Sequence, residues 1–151
     1  MSDATQDTVP DATSDATSDA GPASSRRWVD YDFAVLRAVP HPHLGAFVPV
    51  GVVVHARTAE FLRLRALDDP AELARRVPDV DAELLARYLR ACVRVCDGCA
   101  DAGPIALVPT SERFHWITAP RSDVLQSGPV HEGVAEDPQR ALDALFAEYV
   151  G

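Results

Sequence analysis

Between positions 111 and 133 the chain reads SERFHWITAPRSDVLQSGPVHEG, bringing arginine, serine, histidine and aromatic side chains close together. Arg113, Arg121 and Ser122 carry the forked guanidinium and hydroxyl donors that hold a phosphate or a carboxylate, and Gln126 adds an amide. His115 and His131 titrate near neutral pH and suit proton transfer. A short strand here would turn Phe114 and Trp116 to the core and leave Arg113 and His115 on the opposite face. The same residue types also have architectural uses: an arginine satisfies the last carbonyls of a helix, a serine caps a turn, and a lone histidine on a strand is commonly solvated. Neither Ser111 nor Ser122 lies in the G-x-S-x-G elbow that exposes a hydrolase nucleophile.

Cys92, Cys96 and Cys99 have the spacing by which radical enzymes using S-adenosylmethionine hold a four-iron cluster. Cys92 and Cys96, however, fall within the apolar stripe of an amphipathic helix, where small buried cysteines are ordinary core residues. Zinc would need a fourth ligand; His115 and His131 are the nearest candidates, and no second paired motif anchors a site. No metal and no cofactor is expected. Three cysteines without an export signal indicate reduced thiols and a cytoplasmic protein. His41 and His43, in a proline-rich turn, read as turn residues, and His55 at a strand end carries no evident chemistry.

The elements that position these residues follow from local pattern. Tyr31–Val39 is rich in aromatic and β-branched residues and stops at Pro40, predicting a first strand. Phe47–His55 is almost continuously apolar and predicts a second strand covered on both faces, with Pro49 and Gly51 marking a bulge or an edge. Glu60–Leu67 alternates Leu62 and Leu64 with Arg63 and Arg65, as a third strand would. A short helix starts at Asp69 as N-cap with Pro70 and Glu72 behind it, and ends near Val77. A longer one spans Ala82–Cys96, burying Leu84, Leu85, Tyr88, Leu89, Cys92, Val95 and Cys96, with Gly98 as its C-cap. A last helix, Pro138–Val150, is capped by Asp137 and buries Leu142, Leu145, Phe146 and Tyr149. Strands and helices alternate too little for a doubly wound sheet. The predicted class is α+β: a mixed or antiparallel sheet of about four to five strands packed against two to three helices.

The 151 residues suffice for one core. Asp3, Asp7, Asp11, Asp15 and Asp19 recur every fourth residue among small and polar neighbours, predicting a disordered acidic tail over residues 1–27 and a single globular domain over 28–151. The net charge is −9, all basic residues are arginine and none precedes Arg26, so binding to a nucleic-acid backbone is not expected. No apolar run approaches the length of a membrane span.

The stretch from Tyr31 to Val54, with Arg37, Pro40, Gly45, Phe47 and VGVVV, together with SERFHW, APRS and SGPVHEG, resembles the bacterial domain of unknown function numbered 3037. The chain differs from that pattern at Ala46, where the family implies an acidic residue, and at Pro49, where it implies asparagine. The family's genes lie beside those of HipA-like kinases, and the resemblance implies a regulatory or substrate role next to such a partner. Two functions follow. The first is a binding module, its candidate residues Arg37, Arg113, His115, Arg121, Ser122, Gln126 and His131, engaging a protein partner or an anionic ligand. The second is a small enzyme acting on a phosphate or acyl ester, with His115 or His131 as acid or base and Arg121 as anion clamp. A third reading makes the motifs architectural, with Arg37 and Arg121 paired to carboxylates.

Overall fold

Two apolar runs separated by the turn HPHLG make a hairpin. β1 (Val29–Ala38) and β2 (Val48–Ala56) pair antiparallel, with Phe33 opposite Val54 and Leu36 opposite Gly51. The structure is a computed structural model and describes residues 27–120 and 124–151; the predicted acidic tail lies outside these, Arg27 apart. Beyond Leu36 the register slips by one residue, so Arg37 faces Pro49 and Val50 is the extra residue of a bulge. Of the bulge or edge expected at Pro49 and Gly51, the bulge is present and the edge is not, since β2 has a partner on each side. The bulge places Val50 on the same side as Gly51 and returns Pro49 to the side of Arg37.

β3 (Phe61–Ala66) pairs antiparallel with the far edge of β2, burying Leu62 and Leu64 while Arg63 and Arg65 face solvent. β2 thus lies inside the sheet, and every residue from Val50 to Ala56 is buried, which explains its unbroken apolar sequence. β4 (Leu125–Ser127) and β5 (His131–Ala135) follow one another along the free edge of β1, both antiparallel to it.

Four α-helices complete the α+β fold among the described residues. α1 (Pro70–Arg76) is capped by the Asp69 carboxylate, which accepts from the Ala71 N–H. α2 (Ala82–Asp97) is capped by Asp81 and ends at Gly98, whose φ of 75° is the left-handed conformation a helix stop favours. α4 (Pro138–Tyr149) is capped by Asp137 as predicted. The fourth, α3 (Thr110–Thr118), corrects the expectation of a strand at Phe114–Trp116. Phe114 and Ile117, three residues apart, are the residues α3 buries, whereas Trp116 is partly exposed. Tyr88 and Tyr149, expected to be buried, are likewise exposed at the margins of their helices.

The core is divided by the sheet. On one side Ala34, Leu36, Val50, Val53, Leu62 and Leu64 meet Leu73 of α1, Leu85, Leu89, Cys92 and Cys96 of α2, and Phe114 and Ile117 of α3. On the other, Phe33, Val52 and Val54 meet Leu142 and Val150 at α4 and its end, with Leu145 and Phe146 half-buried beside them. Cys92 and Cys96 are core residues, and burial pushes the Cys96 thiol pKa up. Among the described residues no helix is long and apolar enough to cross a membrane.

Candidate functional site

α4 lies mainly over β2 and β3, so the far part of its sheet face, on β1 and its edge partners, stays open. Strand alternation and register place Arg37 here, with Gln126 directly opposite it on β4 and His131 opposite Phe33 on β5. The Arg37 guanidinium carbon stands 4.2 Å from the centroid of the Phe47 ring, a cation–π contact that fixes the group while leaving its edge available. Gly128 lies beside it: a Cβ there would stand 3.5 Å from the guanidinium carbon, an ordinary contact, and more tightly, at 3.3 Å, against the Val35 carbonyl oxygen. Arg37 divides two depressions. One, of about 240 Å³, includes Pro42, Gly45 and Gln126 in its lining. The other, of about 260 Å³, has apolar walls from Val35, Pro49 and Pro129, and is bounded by His131 and Tyr149. Among the described residues no ion pair involves Arg37. His131 is exposed, its ring 5.2 Å from that of Phe33.

The other candidates lie elsewhere. On a helix, residues two apart point in nearly opposite directions, so α3 separates Arg113 from His115. Arg113 turns inward: its Nε donates to the Val108 carbonyl (2.9 Å), and Nη1 donates to those of Val95 (3.0 Å) and Cys96 (2.8 Å). It closes the C-terminal end of α2, the architectural use that its residue type allows. His115 is exposed on α3, on the opposite side of the sheet from His131. Arg121 and Ser122 lie outside the described residues. The structure therefore brings Arg37, Gln126 and His131 onto one face and places Arg113 and His115 on the other.

The matched family model covers residues 33–150 and is described as a protein of unknown function, DUF3037. The chain belongs to the DUF3037 family. No curated protein and no solved structure matches it.

A second corner of this DUF3037 domain holds residues that sequence reasoning passed over. His55 is only 5% exposed and is the buried polar residue of the described core. Its ring stacks on Phe114 at 5.1 Å, and Nε2 lies 3.3 Å from Thr110 Oγ1. Burial lowers its pKa below the ordinary histidine value; Asp32 opposes that shift, while His115 and Arg57 add to it. The register aligns Glu132 on β5, Asp32 on β1 and His55 on β2 in one row across the sheet. This row borders a cleft of about 530 Å³, shared with Asp30, Arg57 and Thr58. In sequence the three are far apart, and only cross-strand pairing makes them neighbours.

Proposed function

We propose that the domain is a cytoplasmic binding module that receives an anionic group at Arg37, carried by a protein partner or by a small ligand. The observation supporting this is the guanidinium held over Phe47 between two depressions, with Gln126 on one side and His131 on the other. A guanidinium braced on an aromatic ring loses little conformational freedom when it pairs with a carboxylate or phosphate. The apolar walls around Pro49, Pro129 and Tyr149 suit a ligand that carries its charge on an aryl or alkyl body. The HipA-like kinase implied by gene proximity is the first protein partner to test. Catalysis on a phosphate or acyl ester draws on His131 alone at this groove, because His115 lies across the sheet.

The test is thermal unfolding of the full chain with phenyl phosphate, benzoate and inorganic phosphate, alongside capture of the kinase. The aryl anions should raise Tm more than inorganic phosphate does, and Arg37→Gln should abolish both the rise and the capture. Unchanged behaviour in a folded Arg37→Gln variant would remove the proposal.

A further inference from the structure

We infer that the depression shared by Arg37 and His131 takes a two-headed anion, a dicarboxylate or other dianion with its charges at the ends of a short apolar body, and that protonation of His131 sets the preference for two heads over one. The inference rests on the reading of Arg37 as an anion site. Strand geometry sets the span: Phe33, Val35 and Arg37 share one face of β1, and His131 pairs with Phe33 from β5. Four residues of strand separate Phe33 from Arg37 by about 13 Å along the backbone. The Arg37 side chain shortens that distance. Its guanidinium lies beside Gly128, whose N–H donates to the Val35 carbonyl at 2.8 Å, so the group leans back along β1 toward His131. Between the two heads the depression of about 260 Å³ is walled by Val35, Pro49, Pro129 and Tyr149. It is smaller than the roughly 300–1,000 Å³ of sites for drug-sized ligands, and it suits a single ring or a short alkyl chain.

Both heads are held in place with their donors unused. Arg37 rests on the Phe47 ring, and the His131 ring lies 5.2 Å from that of Phe33, which is 6.1 Å from the Tyr149 ring. Among the described residues neither the Arg37 nor the His131 side chain has a hydrogen bond or an ion pair. A ring contact steadies a planar cation through its face and leaves the in-plane N–H groups for a ligand. Apolar walls between two such groups penalise charge in the middle of a ligand and favour charge at its ends. A neutral imidazole offers a single N–H, whereas the imidazolium offers two with a full charge, and a histidine makes that change between about pH 5 and 8. The charged or titratable groups facing His131 across the depression are Arg37 of β1 and the Tyr149 phenol of α4. Asp32 and Glu132, its neighbours along the two strands, point to the opposite face, and no carboxylate lines the depression to compete for the imidazolium.

Isothermal titration of the full chain at fixed ionic strength tests the inference, with benzoate and hexanoate as one-headed probes and terephthalate and adipate as their two-headed counterparts. At about pH 6 at least one dianion should bind about threefold or more tightly than its one-headed counterpart, and at about pH 8 that preference should shrink. His131→Gln should bind the one-headed probes as the parent does and lose the pH dependence of the preference. His131→Arg, which carries a permanent charge, should keep the preference at both pH values. Arg37→Gln should abolish binding of all four probes. Arg37-dependent binding without a two-headed preference that grows as pH falls, or with one that persists in His131→Gln, would overturn the inference and leave the anion site standing. Binding of no probe, or binding that survives Arg37→Gln, would overturn both.

Discussion

The two faces of the sheet are open at opposite ends of the same strand. On the face covered by α1, α2 and α3, the helices close over the Ala38 end of β1 and leave Asp30 and Asp32 at the rim of a cleft. On the α4 face the single helix leans over β2 and β3, and the Arg37 end is uncovered. One corner is acidic with a buried imidazole; the other is cationic with aromatic and proline walls. Alternation along β1 produces both, because residues of odd and even number face opposite ways. The lesson is that a motif block in sequence is a poor guide to a site here: Arg113 and His131 belong to neighbouring motifs yet serve opposite faces, while Arg37 and Gln126 are distant in sequence and adjacent in the sheet.

The covered regions offer the harshest test of this contrast. Phe114→Ala removes the ring beneath three-helix packing and should cost about 3–5 kcal/mol in urea unfolding. Leu142→Ala, beside half-buried neighbours that can close over the gap, should fall nearer the low end of the roughly 2–5 kcal/mol range; a larger loss there would reverse the ranking of the two faces. The arginines come next. Arg113→Ala removes a donor from the Val108, Val95 and Cys96 carbonyls, of which Val95 keeps the Gly98 N–H, and should cost about 2–3 kcal/mol without changing anion binding. Arg37→Ala should cost less than about 1 kcal/mol and eliminate that binding, and the opposite pattern would exchange their assigned roles.

Gly133→Ala probes the β1–β5 pairing that joins the two corners. Its Cβ would lie 2.6 Å from the Tyr31 ring, so about 1–3 kcal/mol should be lost, and most of the penalty should vanish in a Tyr31→Ala background. The smallest effect is a pH dependence. The unfolded chain binds a proton at His55 more readily than the folded one, so stability is full above pH about 6.5 and declines as pH falls through the lowered folded value. His55→Asn should flatten that decline relative to the parent. An unaltered slope would place its origin outside the acidic corner.

Much of the fold was readable along the chain, because its signals are local. The Asp69 and Asp137 carboxylates cap helices within three residues of themselves, and Leu62 and Leu64 alternate with Arg63 and Arg65 at the strand period. Residues 110–118 were misread for an equally local reason. Phe114 with Trp116 mimics a strand and Phe114 with Ile117 marks a helix, while α3 has no side-chain cap bond to break the tie. Packing of Phe114 and Ile117 into the helical core accompanies the helical outcome.

Residue types and their periodicity determined by themselves that this chain forms an α+β domain. Tertiary structure alone decided which side chains meet. Cross-strand register set Arg37 against Gln126 and aligned Glu132, Asp32 and His55, and helix coverage selected the ends of β1 that stay open. The physical reason is that local sequence encodes dihedral preference and face, whereas proximity between distant segments depends on how strands pair and where the helices find apolar surface to cover.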